Sequence, residues 1–378
     1  MKKIVIAPDS FKGSMSAKEV CDALERGVKS VIPAVEIIKI PMADGGEGTV
    51  ETLVDATEGR LVELNVLDPL GKPAPSYFGI LGDGTTAVIE MALASGLTMV
   101  PKERRNPLFT TTYGTGQLIK AAVESGCREF MIGIGGSATN DGGVGMAQAL
   151  GIKFLDEEGR EIAYGGGNLG KIKKIDMTNL DSRISECKFK VACDVDNPLC
   201  GPKGASHVFG PQKGATPEIA AFLDQSLAHL AEVIKKDLGR DVAAEPGAGA
   251  AGGLGAGLLA FCNAELQRGI ELVIEATNIA EKMTGADLVI TGEGQMDFQT
   301  AHGKTAYGVA RIAKKKNIPV IALVGTIGTG TEVLYEKGIN AIFSILEGPM
   351  SLDECMQAGP QLAERAAARI IRALQIRF

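Results

Sequence analysis

The sequence predicts an α/β protein of two domains. Residues 1–65 and 285–378 make a discontinuous Rossmann-like domain with a parallel sheet, and residues 66–284 form an inserted mixed α/β domain. Three observations lead there. At both ends of the chain short apolar runs alternate with segments of helical period, the pattern of a parallel sheet covered on both faces. The stretch 61–92 instead has the pattern of a meander, three strands joined by tight turns. With 378 residues, the chain also exceeds what one hydrophobic core commonly holds.

In chain order, IVIA (4–7) is a first short strand, followed by Val20, Leu24, Val28 and Val31 at helical spacing. Ser16 and Glu19 make a capping box that fixes the helix start. EIIKI (36–40) is a second strand, ADGGEGT (43–49) its loop, and Val50, Leu53 and Val54 one face of the next helix. In the meander the turns fall at Asp68–Lys72 and Gly82–Thr85. EFMIGI (129–134) reads as a buried strand, GGSATNDGG (135–143) as its loop, and Val144 with Met146 to Leu150 as a helix. DEEG (156–159) is a turn signal, and KFKVA (188–192) another strand. AAEPGAGAAGGLGAGLLAF (243–261) reads as a tight glycine loop opening a buried helix. The closing segment runs DLVIT, a long polar loop, a helix with Val309, Ile312 and Ala313, then VIALV, GTIGTGT, a short helix and AIFSIL.

Composition narrows the function. A formal net charge of -7, with no basic stripe, argues against nucleic-acid and membrane-surface partners. Lys314, Lys315 and Lys316 close a helical pattern, where cations meet the negative helix end. No run approaches the ~18 apolar residues of a membrane span, and the apolar run of MKKIVIAPDS stops too soon for a signal peptide. Seven cysteines without a CxxC spacing suit reduced thiols and a cytoplasmic location. Three histidines are too few for a His/Cys zinc site, so a metal would be a hard ion held by carboxylates and phosphate.

Chemistry concentrates in loops that follow strands: DSFKGS (9–14), ADGGEGT, GGSATNDGG, CDVDNPLCG (193–201) and TGEGQMDFQTAHGKT (291–305). In an open parallel sheet such loops converge on the ligand crevice, and helix N-termini there favour anions. In GGSATNDGG the glycines allow close backbone approach to a phosphate, Ser137 and Thr139 supply donors, and Asp141 holds a metal or accepts a proton. The competing reading makes Asn140 or Asp141 a helix cap. A rival function uses the same place. Gly133, Gly135 and Ala138 satisfy a dinucleotide pattern, with Asp156 at the ribose-acid offset, which would make an NAD-dependent oxidoreductase using GIGGSA. DEEG is, however, a turn signal. GKT (303–305) is not a Walker A end, because Phe298 stands where the first glycine is needed. Lys12, Lys213 and Lys304 remain as phosphate contacts. Acids in the loops, Asp9, Asp44, Glu47, Asp141, Asp194, Asp196, Glu293 and Asp297, complete the mixture that phosphoryl transfer asks for.

Seven motifs in order, APDSFKGS, PMADGGEGT, GIGGSATNDGG, CDVDNPLCG, FGPQKGA, PGAGAAGGLG and TGEGQMD with its downstream GK, resemble the bacterial glycerate kinases that make 2-phosphoglycerate, over essentially the whole chain. The resemblance implies two α/β domains with the active site in the cleft between them, ATP with Mg²⁺, and D-glycerate as phosphoryl acceptor. Residue roles are expectations of chemistry. Asp194 is the first candidate for general base and Asp44 the second, with Lys12 as a catalytic cation. Asp9, Ser10, Gly135, Gly136, Ser137, Thr139, Asn140, Asn197, Lys213 and Lys304 are expected to bind substrate or phosphate. Asp141 and Glu293 or Asp297 are expected to hold magnesium. Monomer and homodimer both stay open.

Overall fold

A computed structural model describes residues 1–376. Its strands are β1 (Lys3–Ile6), β2 (Glu36–Lys39), β3 (Arg60–Leu67), β4 (Pro73–Ile80), β5 (Thr86–Glu90), β6 (Glu129–Gly133), β7 (Lys153–Leu155), β8 (Lys174–Asp176), β9 (Lys188–Ala192), β10 (Glu265–Gln267), β11 (Leu288–Met296), β12 (Val320–Ile327) and β13 (Ala341–Ser344). The chain divides into two compact units, one of Met1–Asp44, Glu51–Glu58 and the chain from Ile270, the other of Gly45–Val50 and Gly59–Gly269.

The division falls elsewhere than the expected boundaries at 65/66 and 284/285. Strand β3 pairs with β4 along its whole length, from Arg60↔Ile80 to Leu67↔Pro73, and this antiparallel ladder carries residues 59–65 into the second unit. At the other boundary, Ile270 packs under Gly308 and the Thr277 hydroxyl lies 4.0 Å from the Met42 sulfur, so 270–284 belong with the first.

In the first unit five strands form an all-parallel sheet in the order β13-β12-β11-β1-β2. Chain direction across the sheet reverses between β1 and β11, because β1 leads to β2 on one side and β11 to β12 on the other. Helices Ala17–Lys29 and Gly359–Leu374 cover one face, packing Val20, Leu24, Leu362 and Ala366 on Ile4, Ile6, Ile290 and Leu323. Ser16 accepts the Glu19 N–H and the Glu19 carboxylate takes the Ser16 N–H, the capping box expected from sequence. The two helices approach closely at Gly27, where a β-carbon would stand 2.1 Å from the Glu364 carbonyl.

Strand β11 is longer than DLVIT suggests. Its parallel pairing with β12 continues through Gln295↔Thr326 and Met296↔Ile327, so TGEGQM is strand and not loop. Glycine permits this, since a β-carbon on Gly292 would meet the Leu323 carbonyl at 2.0 Å.

The second unit holds a six-stranded mixed sheet, β10-β9-β6-β5-β4-β3, with the first four parallel and β4 and β3 antiparallel, as the meander pattern implies. A separate hairpin pairs β7 with β8. The core joins Phe78, Phe130, Phe154 and Leu254 with helices Tyr113–Glu124 and Pro217–Leu238. Helix Ala250–Cys262 opens with three left-handed residues, Ala251, Gly252 and Gly253, and is buried along most of its length.

Candidate active site

The carboxyl ends of β1 and β11 lie side by side where the sheet reverses direction, the position at which open parallel sheets bind ligands. A pocket of about 410 Å³ opens there. Asp9, Ser10, Lys12, Asp44, Glu293 and Lys304, six of the residues singled out in sequence, line it together. Strand ends, a strand interior and a helix start deliver them. Asp9 follows β1, its N–H held by the Gly292 carbonyl at 2.8 Å. Asp44 follows β2, Glu293 sits within β11, and Lys304 stands at the N-cap of helix Thr305–Lys315.

The two central acids are held by hydroxyls. Asp9 accepts from the Ser10 N–H at 2.6 Å and from the Thr305 hydroxyl. Glu293 accepts from the Thr300 hydroxyl at 2.8 Å, and Lys304 Nζ stands 3.7 Å from its other oxygen. Burial pushes the Asp9 carboxyl up to about 6, with the Thr305 bond opposing and the Asp44 charge adding to the rise. Burial likewise lifts Glu293, 8% exposed, to about 7, opposed by Thr300 and Lys304 and reinforced by Asp9. Two carboxylates so disfavoured as anions gain most from a cation or cationic ligand beside them. Thr300 and Thr305 were missed in the sequence; they lie inside the quoted loop, but nothing in their spacing says which acid they reach.

Asp297 is not part of this set. It caps the turn Phe298–His302, accepting the Gln299 N–H at 2.8 Å, and does not line the pocket. Apolar side chains of Ile345, Leu346, Leu352 and Met356, with Cys355, also line the pocket, and no sequence signal marked them.

In the second unit GGSATNDGG turns its side chains inward. Gly135 and Gly136 stay exposed. Asp141 is 1% exposed, and its carboxylate accepts from Thr112 N at 2.8 Å, Thr112 Oγ1 at 2.9 Å, and Gly143 N and Gly145 N at 3.3 Å. With both oxygens engaged it ties the loop to Thr112 and to the start of helix Val144–Ala149. Burial pushes its carboxyl up while these bonds hold it back. Lys213, expected on phosphate, is 1% exposed; its ammonium donates to Ser137 Oγ at 2.8 Å and to the Thr139 carbonyl at 2.6 Å. Burial pulls it down to about 7, against the pull of Asp141. Asn140, also buried, donates to Ser206 Oγ at 2.9 Å. Lys213 thus joins Ser137 to the Thr139 carbonyl and Asn140 reaches Ser206 inside the unit, while Gly135 and Gly136 face outward.

Asp194 lies exposed beyond β9, with Oδ1 accepting the Gly269 N–H at 3.2 Å. Asn197 donates to the Lys203 carbonyl at 2.8 Å and ties its own loop.

The family model described as the glycerate kinase family matches residues 4–375. The chain belongs to the glycerate kinase family. It is 54% identical to a glycerate kinase of Bacillus subtilis strain 168, covering 99% of this chain and 98% of the relative. It is 51% identical to a glycerate 2-kinase of Escherichia coli K12, again over 99% and 98%. A crystal structure from Salmonella typhimurium LT2, described as a "putative glycerate kinase 2", is 49% identical and superposes with a TM-score of 0.92 over 99% of this chain and 98% of that one.

Nothing in the family or in the geometry favours the oxidoreductase reading of GIGGSA. Asp156, the supposed ribose acid, follows β7 in the separate hairpin and is consumed by its own turn, accepting from the Glu158 and Arg160 N–H groups at 3.0 and 2.9 Å. Among the described residues no helix is long and apolar enough to cross a membrane.

Proposed function

We propose that the chain transfers the γ-phosphoryl group of ATP to a hydroxyl of D-glycerate, giving 2-phospho-D-glycerate and ADP. The observation that carries this reading is the meeting of Asp9 and Glu293 with Lys12 and Lys304 at the switch point of a parallel sheet, in a chain of the glycerate kinase family. The name of the Escherichia coli relative supports the C2 position.

Magnesium fits the donor set of the pocket, which is of hard carboxylate oxygens. Among the described residues no three histidine, cysteine or acidic side chains converge to cage a metal. Asp9 and Glu293 would hold it jointly with phosphate oxygens and water, the usual manner of Mg²⁺ with a nucleotide. Bound there, the ion offsets phosphate charge. Thr305 and Ser10 orient Asp9, and Thr300 orients Glu293. Lys12 and Lys304 stabilise charge that grows on the transferring group, in a reaction that depends mainly on positioning and electrostatics. Asp194, oriented by the Gly269 N–H, is the proposed acceptor of the hydroxyl proton, and Asp44 the second candidate. All seven cysteines are free thiols, which supports a reducing, cytoplasmic setting.

Release of ADP by the purified protein tests the reading. ADP should form from Mg-ATP only when D-glycerate is present, and NADH should leave the melting temperature unchanged. ADP release that ignores D-glycerate would overturn it.

A further inference from the structure

We propose that the purine ring of the nucleotide lies on the apolar wall of the first unit's pocket, against Leu346, Leu352 and Met356, with its phosphates toward Lys12 and Lys304. The inference rests on the kinase reading and adds where the base end goes.

The pocket has two chemically distinct ends. Acids and lysines at the ends of β1 and β11 suit phosphate and a hard cation. Those groups have no use for the apolar wall, where Leu346 follows β13 and Leu352, Cys355 and Met356 project from helix Leu352–Gln357. Glycerate, three carbons bearing a carboxylate and two hydroxyls, has no apolar surface to offer that wall, and about 410 Å³ is far more space than it fills. A purine supplies a flat face of the needed kind, and continuity with the cationic end fixes which way the nucleotide runs.

Leu352 is the most telling residue. It is 70% exposed, although its helix begins with a full capping box in which Ser351 Oγ and Glu354 satisfy each other's backbone groups. So well anchored a helix holds its leucine open to solvent at the rim of the pocket. The same helix is fastened to the loop that carries Asp9, Ser10 and Lys12, because the Ser14 hydroxyl donates to the Met356 carbonyl at 2.7 Å. A β-carbon on Gly13 would stand 3.1 Å from the Met356 methyl. Base wall and phosphate loop are thereby held in fixed register.

Two measurements test the placement. Removing a leucine face from a purine contact, in Leu352→Ala, should raise KM for ATP roughly five- to thirtyfold and KM for D-glycerate far less. Cys355 reports independently of catalysis: ATP should slow its alkylation, read by peptide mass spectrometry, whereas tripolyphosphate and D-glycerate at the same concentration should not. ATP that raises the melting temperature yet leaves Cys355 alkylation unchanged would overturn the base placement while the kinase reading stands. Protection by ATP without any phosphorylation of glycerate would uphold the base site and remove the kinase reading.

Discussion

Replacing Lys213 by methionine separates an internal bolt from a phosphate ligand. The lysine is 1% exposed and its proton affinity is lowered to about 7 by burial, while an unfolded lysine titrates near 10.4. Between these values the unfolded chain binds more protons than the folded one, so Lys213 makes stability rise with pH through that window. From pH 7 to pH 9, allowing for half-titration at the start, the gain is about 2 kcal/mol. Methionine keeps the length and cannot titrate. It also leaves Ser137 Oγ and the Thr139 carbonyl without their donor, a pH-independent loss of about 1 kcal/mol for each bond. Urea unfolding of both proteins at pH 7, 8 and 9 measures the difference. The stability advantage of the native protein over Lys213→Met should grow by about 2 kcal/mol over that range. Parallel curves would refute the enclosed, half-neutral lysine, and a variant of native stability with ATP binding abolished would return Lys213 to the phosphate.

Asp194→Asn should lower kcat by roughly 10²–10⁴ with a near-native melting temperature and little change in glycerate binding; early melting with kcat within about threefold would move the proton acceptor to Asp44. Glu293→Gln keeps an oxygen for the Thr300 hydroxyl but removes a charge, and should raise the Mg²⁺ concentration needed for half-maximal rate at least roughly tenfold; unchanged metal dependence would exclude Glu293 from the metal. Gly252→Ala should destabilise the protein by about 3 kcal/mol or more, because φ is +68° and the added carbon would stand 2.0 Å from the Thr139 carbonyl; a melting temperature within two degrees of the parent's would contradict that packing.

Much of the first unit was legible because its signals are local. A short apolar run, a glycine-bearing loop and a helical period place Asp9, Asp44 and Lys304 after strands, and a parallel sheet brings strand ends together whatever the details. Glu293 lines the pocket from a strand: TGEGQM resembles a loop, yet backbone pairing with β12 makes it strand, since glycine in an interior strand carries no polar warning. In the second unit the sequence located GGSATNDGG correctly between β6 and a helix but could not tell which side faces inward. That choice depends on Thr112, Ser206 and Lys213, which are distant in sequence and meet the loop only in the folded unit. The base wall was invisible for a related reason. Leu352 and Met356 look like any amphipathic helix until the structure shows that the leucine faces the pocket and not a core.

Phosphorus NMR of the reaction product tests the central claim most directly. With D-glycerate, Mg²⁺ and ATP, a new proton-coupled resonance should appear as a doublet, because a phosphate on C2 has one proton across the C–O–P bonds. A triplet, the mark of the two protons on C3, would contradict the proposed 2-phosphoglycerate, and ADP formation with no new ester resonance would contradict phosphoryl transfer to glycerate altogether.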